Sequence, residues 1–407
     1  MTPRFAIVLA CAALVFAPAV HAQEPALAPA PALAPAPANG VPGPATAAGS
    51  TSAVLPGTPA APAVVPKRND YDGMAAPPTQ AGTTPFAYFV HPGLELFAEY
   101  DFTLTYAANQ TTSWFHQFNV PRVHASLDGA VGPVRARVLV EGVRSASDGA
   151  LIGVDGDSIV IRVREAYAAW DPVKGLEVAA GVVPTLTIGE LDGTWMLRVI
   201  APTTLESAQL ASPADVGGTL RYTLPSRYGW IAVGAYNGEG YNQQELNRGK
   251  NVEIAGELHP IVRGPLLPLA AFASFVGGSE GTDSARSNRL TGGVLWQGAR
   301  VRGGVSYTYA WGVADDPEQT STATDVFVKV EPIDRLLLGA RLSYWVRDTG
   351  APSTDAITTF FGSVGWRIFD PLEFHVAVTR AIPATLTRTE LTGSDYLELR
   401  GVTRVVF

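Results

Sequence analysis

The feature that most limits what this chain can fold into is a two-residue alternation sustained over unusually long runs. Across residues 94–106, Leu94, Leu96, Ala98, Tyr100, Phe102, Leu104 and Tyr106 alternate with Glu95, Phe97, Glu99, Asp101, Thr103 and Thr105. Successive side chains of a strand point to opposite faces, so this run has one apolar face and one largely polar face. Across 335–347, Leu336, Leu338, Ala340, Leu342, Tyr344 and Val346 oppose Arg335, Leu337, Gly339, Arg341, Ser343, Trp345 and Arg347. The last run sets Leu399, Thr403, Val405 and Phe407 against Glu398, Arg400 and Arg404. Strands of about 10 residues with one charged face can cross a bilayer. Without helices, only a closed barrel satisfies the backbone there.

The pattern recurs in sixteen segments: 92–107, 115–130, 133–144, 158–171, 175–184, 216–224, 228–238, 250–260, 267–276, 287–297, 300–312, 323–332, 335–347, 355–369, 372–382 and 394–407. Their connections alternate between short turns, such as Gly132-Pro133, and longer stretches rich in Asp, Ser, Thr and Gly. This predicts an all-β fold over residues 86–407: a transmembrane antiparallel up-and-down β-barrel of about sixteen strands. The even count puts both termini on the short-turn, periplasmic side, in the outer membrane of a Gram-negative bacterium. Segments 228–237 and 267–276 are apolar on both parities, which leaves their inner face open. Segment 158–171 changes phase near residues 164–166, which suggests a bulge. Trp230, Trp296 and Trp366 near short turns, with Tyr106, Tyr309, Trp311 and Trp345 near long loops, predict two interfacial aromatic belts.

Composition agrees with an outward apolar surface. The chain is 47% hydrophobic and 16% charged, which is low in charge for a soluble domain. After the N-terminal segment no apolar run reaches the roughly 18 residues of a spanning helix. A soluble β-sandwich competes for the same alternation, but gives no reason for every strand to turn an apolar face outward.

Residues 1–22 read as an export signal, with Arg4, an apolar run over 5–16 and a small-residue cleavage site at Val20-His21-Ala22. Val8-Leu9-Ala10-Cys11 also allows a lipobox reading, at the cost of a truncated apolar run. Cys11 is the single cysteine, so removal of the signal leaves no disulfide, thiolate metal site or cysteine nucleophile. Residues 23–85 are rich in Ala and Pro and read as a mostly disordered periplasmic linker, with a tether to the cell wall as one role.

The run Arg164-Glu165-Ala166-Tyr167, then Leu176-Glu177-Val178, Gly181 and Pro184, resembles the phosphate-selective porin O and P family. So do Asp215-Val216-Gly217, the stretch from Tyr236 through Asn242, and Lys250. The terminal Phe407 looks like the insertion signature of outer-membrane proteins. The resemblance implies a sixteen-stranded, commonly trimeric channel with an inward-folded loop. The function the resemblance implies is that of a porin for passive diffusion of small hydrophilic solutes. One departure is plain: lysines line the pores of the phosphate-selective members, and this chain has only Lys67, Lys174, Lys250 and Lys329.

The longest connection, 185–214, carries Glu190, Asp192, Trp195, Arg198 and Glu206 and is the candidate constriction loop. Parity places Arg122, Arg135, Arg137, Arg162, Arg164, Arg302, Arg341 and Arg367 on the lumen wall. Also there are Arg221, Arg289, Arg300, Arg400, Arg404 and His124. Carboxylates on that face include Glu95, Glu99, Asp101, Asp128, Glu141, Glu253, Glu257, Asp325, Glu373 and Glu398. The arginine excess points to a weak anion preference, and opposed charges across a narrow passage would create a transverse field. The other function classes are a structural barrel anchored to the cell wall and a barrel enzyme. No Gly-x-Ser-x-Gly elbow or His-Glu-x-x-His spacing supports the enzyme. No cofactor, metal or nucleotide motif appears, and no basic tract suggests nucleic acid. The expected partners are outer-membrane lipid, two further copies of the chain and small hydrophilic or anionic solutes.

Overall fold

A computed structural model of the chain describes residues 88–106, 112–144, 159–242, 248–280, 285–313, 316–351, 355–385, 387 and 393–407. The expected export signal and the whole of the 23–85 linker lie outside the described residues.

Sixteen strands close into one antiparallel barrel, each bonded to its sequence neighbour. They are β1 (Tyr88–Tyr106), β2 (Thr112–Val131), β3 (Val134–Arg144), β4 (Ile159–Val173), β5 (Leu176–Pro184), β6 (Ala214–Thr223), β7 (Gly229–Tyr236), β8 (Asn251–Leu258) and β9 (Leu269–Gly277). After a separate two-residue pair, β10 (Ser279–Glu280) with β11 (Ala285–Arg286), follow β12 (Asn288–Gln297), β13 (Val301–Val313), β14 (Asp316–Ile333) and β15 (Leu336–Asp348). The barrel ends with β16 (Asp355–Phe369), β17 (Leu372–Pro383) and β18 (Tyr396–Val406). The seam is β1 against β18, running from Glu95 opposite Val406 to Thr105 opposite Tyr396. The beginning of β1 and the end of β18 therefore share one rim. The tight turns at 132–133, 174–175, 334–335 and 370–371 lie at that rim.

The strand segments read from alternation match the sixteen barrel strands to within a few residues, with one exception. β14 begins at Asp316, seven residues before the expected start at 323. The polar stretch Thr320, Ser321 and Thr322 pairs with β13, so it extends the hairpin instead of forming a loop.

Alternation works as the two-residue period requires. On β1, Leu94, Leu96, Ala98 and Tyr100 are exposed on the outer face, while Phe97, Glu99 and Asp101 are buried inside. On β17, Phe374, Val376 and Val378 face out, and Glu373, His375, Ala377 and Thr379 face in. The outer face continues round the barrel through Leu127, Ile161, Leu220, Ile254, Leu290, Val305, Val328, Leu342, Phe360 and Leu399. An apolar belt of this extent is stable against lipid tails, not against water. No described helix is long and apolar enough to cross a membrane.

The phase change in β4 is a register slip: Leu139 pairs with Glu165 and Val140 with Val163, so Arg164 is the extra residue. The two segments apolar on both parities also resolve. β7 turns Trp230, Ala232 and Tyr236 inward, and β9 turns Ala270, Phe272 and Ser274 inward. Their inner faces are apolar because they meet the loop between β5 and β6, described next.

Candidate functional site: a lumen lined by an inward loop

The connection from β5 to β6 enters the barrel. It holds α1 (Leu186–Trp195) and the single turn α2 (Thr204–Ser207). Its apolar residues Leu186, Ile188, Leu191, Trp195, Leu197, Ile200, Leu205 and Leu210 are buried in one cluster with inward residues of the wall. The wall contributes Trp230, Phe272, Leu295, Phe327, Phe361, Val402 and Phe97. Burial of this apolar surface on both partners stabilises the inward position at roughly 25 cal/mol per Å² removed from water. Trp195, with 0% exposure, stands edge-on to Phe327 and Phe361, with ring centroids 5.7 and 5.8 Å away. Its indole donates to the Ala201 carbonyl at 2.8 Å.

Polar contacts fix the loop at its helix ends. The first N–H groups of a helix have no partner within it. For α1 the wall supplies one: Leu186 N and Thr187 N each donate to the Glu253 carboxylate of β8 at 2.8 Å. At α2, Thr204 N and Oγ1 donate to Asp325 of β14 at 3.2 and 2.6 Å. The α1 helix stops at Met196, whose left-handed backbone (φ 59°) returns its N–H to Asp192 O.

The five loop residues singled out by sequence divide into two roles. Arg198, Asp192 and Glu206 form an ion triad within the loop: Arg198 Nε lies 3.0 Å from Asp192 Oδ2 and donates to Glu206 Oε2 at 2.8 Å. Arg198 and Asp192 are buried and Trp195 is fully enclosed, so these three shape the loop instead of facing a passage. Glu190 reaches the wall, where Gln297 Nε2 of β12 donates to Glu190 Oε1 and Glu257 Oε2, each at 2.6 Å. Burial and the neighbouring Glu257 carboxyl push the Glu190 carboxyl up to about 8.

The inward arginines separate by height and partner. Arg302 and Arg341 hold the loop, donating to Gly193 O at 3.1 Å and to Ala201 O at 3.2 Å. Arg400 and Arg289 do the same, through Ile200 O and Leu210 O. Towards the short-turn rim, Arg135 pairs with Asp171 and Glu177, and Arg367 pairs with Glu373. Arg137 bridges Asp128 at 3.0 Å and Glu165 at 2.9 Å. Arg122, Arg162 and Arg164 gather on β2 and β4 around one carboxylate, Glu141 of β3. Arg162 Nε lies 2.6 Å from it and Arg122 Nη1 3.9 Å. Arg164 is only 3% exposed, and among the described residues its Nε and Nη1 find no hydrogen-bond acceptor. Arg122 also lies within electrostatic reach of Arg198 and Glu206 on the loop.

Acids and bases alternate across the barrel seam. Arg367, Glu373, Arg404, Glu95, His124, Glu141 and Arg162 form a chain of contacts through seven consecutive strands, β16 to β18 and β1 to β4. His259 and His375 likewise sit beside carboxylates, Glu257 and Glu373. Among the described residues, no group of three or more His, Cys, Asp or Glu is arranged to hold a metal.

Three sequence expectations are corrected. Arg300 is not on the lumen wall; it lies in the turn before β13 and pairs with exposed Asp334 at 2.8 Å. Trp230 does not belong to an outer belt. It is buried inward with the Arg221 guanidinium 4.0 Å above its ring, because the loop gives that wall an apolar partner. Trp345 also turns inward, donating to Ser321 Oγ at 3.0 Å and packing against the loop cluster.

Two site residues escaped the sequence reading. Gln297 carries no charge, so a survey of charged lumen positions passes it by. Tyr241, in the connection after β7, accepts from Arg162 Nη2 at 2.9 Å and donates to Glu141. Its ring lies under the Arg162 guanidinium at 5.0 Å. Burial and Glu141 push the phenol up to about 12, so it stays a donor at neutral pH.

No family model matches the chain, and no curated protein matches it. Solved structures do. The anion-selective porin from Comamonas acidovorans matches with a TM-score of 0.57 and 10% identity, over 79% of this chain and all of that one. The outer-membrane channel DcaP of Acinetobacter baumannii gives 0.55 and 10%, over 79% and 97%. A loop-deleted form of OmpT, an outer-membrane protein of Vibrio cholerae, gives 0.53 and 14%, over 79% and 100%. At such identities the likeness is one of fold: this chain has the barrel of outer-membrane porins.

Proposed function

We propose that this chain is an outer-membrane porin that lets small hydrophilic solutes diffuse through a lumen narrowed by residues 185–213. The observation that carries the reading is the inward loop itself, held by wall residues of β8, β12, β13, β14, β15 and β18. A barrel of sixteen strands is wide enough for an aqueous channel. A loop laid against part of its wall confines passage to the side that remains, where Arg122 and Arg162 keep their solvent exposure.

A weak anion preference belongs to the same reading. Arg122, Arg162 and Arg164 share Glu141, which leaves local positive charge opposite the loop's Glu206. Phosphate selectivity on a lysine ladder is not part of the proposal. Lys329 is buried and bound to Glu331, so it offers no docking charge. The motifs of 158–260 resemble the phosphate-selective porin O and P family, and the proposal takes from that resemblance a channel and no solute.

Assembly as a homotrimer also fits. The outer face of β1 and β2 carries Tyr100, Phe102, Trp114, His116 and Phe118 in ring contact, with His116 stacked on Trp114 at 5.6 Å. An imidazole on the outer face is better placed against a protein neighbour than against lipid tails.

Liposome swelling with sugars of graded size tests the diffusion reading. Vesicles carrying the refolded barrel are expected to swell fast with a pentose and progressively slower with di- and trisaccharides. No swelling with any sugar, from a correctly folded barrel, overturns it.

A further inference from the structure

We propose that the contact of Glu190 with Glu257 and Gln297 is a proton-operated latch that holds α1 against the barrel wall and sets how firmly the lumen loop is seated. This concerns regulation of the site above, and its effect on conductance rests on the porin reading.

The geometry favours one proton on the carboxyl pair. Gln297 Nε2 has two hydrogens, and they are directed to Glu190 Oε1 and Glu257 Oε2, each at 2.6 Å. Sharing one nitrogen holds the two carboxyls side by side. Carboxyls that close cannot both ionise without repulsion, whereas one shared proton turns the pair into a donor and an acceptor.

The surroundings supply little cationic relief. On β6, Arg221 is within electrostatic reach of Glu190 but its guanidinium lies over the Trp230 ring. On β13, Arg302 donates to the Gly193 carbonyl. On β14, Lys329 is bound to Glu331, and Asp325 caps α2. On β8, Glu253 caps α1, and His259 just past that strand meets the other oxygen of Glu257 at 2.9 Å. Within α1, Asp192 is bound to Arg198. Among the described residues, Glu190 thus meets Gln297 and, through it, Glu257 across the gap, with Thr194 Oγ1 3.3 Å from the same amide.

The sign follows from the direction of the shift. With Glu190 pushed up to about 8 in the seated loop, the seated state holds the proton that a solvated carboxyl releases. Seating is firmest below the ordinary carboxylate range and weakens as pH rises through about 8. At most, the seating equilibrium falls about tenfold per pH unit across that window.

The test is amide hydrogen exchange of the folded barrel at pH 5, 7 and 9, corrected for intrinsic rates and read on peptides covering 186–196. Single-channel recording accompanies it at the same pH values. In the wild type, protection of α1 is expected to fall by at least tenfold from pH 5 to 9, and open-channel current to become noisier. E190Q keeps a donor amide at the latch and is expected to flatten both profiles; E257Q should do the same. H259Q, which leaves the carboxyl pair intact, should keep the wild-type profile. A flat wild-type profile, or an E190Q profile that tracks the wild type, overturns the latch. Loss of the pH dependence in H259Q alone assigns it to the imidazole and also overturns the latch. A folded barrel that shows the pH-dependent exchange but never conducts keeps the latch and sinks the porin reading. Conductance that ignores pH while α1 loosens overturns the link between latch and passage.

Discussion

Glu253 shows how a single wall residue can organise an element 67 positions away in sequence. Its carboxylate does for α1 what an N-cap side chain usually does, because Thr185 at the cap position bonds Ser212 O instead. Replacing Glu253 by Ala removes the acceptor of two helix N–H groups and of the Thr187 hydroxyl. Hydrogen bonds to charged groups contribute about 1.5–3 kcal/mol each, so E253A is expected to unseat the start of α1. Limited proteolysis of the folded barrel should then cut within 185–213 at a protease level the wild type resists; equal resistance would contradict the capping role. Parity alone identified Glu253 as an inward carboxylate. Its partner could not be read, since a pair that distant leaves no local pattern. The same holds for Gln297 and Tyr241.

At the scale of elements, the loop explains what the strands alone could not. β7 and β9 are apolar on both faces because one face meets lipid and the other meets Leu186, Ile188, Leu191 and their neighbours. Runs that lose their alternation inside an otherwise alternating barrel thus mark the wall that an inward element covers. Position along a strand sets Trp230 in a belt but does not reveal which face has an apolar partner; for Trp345 the parity it shares with Arg341 and Ser343 already points inward. Gly339 is a second trace of the loop. A Cβ there would lie 2.4 Å from Leu197 Cδ1 and 2.6 Å from Ser363 Oγ, so the glycine permits the close approach. Gly339→Val is expected to cost about 1–3 kcal/mol of loop seating by overpacking. The barrel should still form, with higher open-channel noise in bilayer recordings; unchanged noise would place Leu197 elsewhere.

For the whole molecule, two surfaces decide the fold, and both were written in the period-two pattern. Leu94, Leu96 and Tyr100 face out, and Glu95, Glu99 and Asp101 face in, as alternation requires. Closure follows because an open edge in lipid would leave backbone groups unpaired. The ion pairs from Arg367 to Arg162 bind the β1–β18 seam from within. Val376 lies near the middle of β17 on the outer face, more than half exposed. V376R is expected to lower stability in lipid vesicles by about 2–4 kcal/mol, read by denaturant titration. A change near zero would mean that this face does not meet hydrocarbon. The measurement that bears most directly on function is single-channel recording of the refolded barrel in a planar bilayer under a potassium chloride gradient. An open porin gives stepwise, ohmic conductance, in groups of three if the trimer forms, with a reversal potential shifted modestly towards that of chloride. Electrical silence from a barrel that is folded and heat-modifiable would contradict the channel.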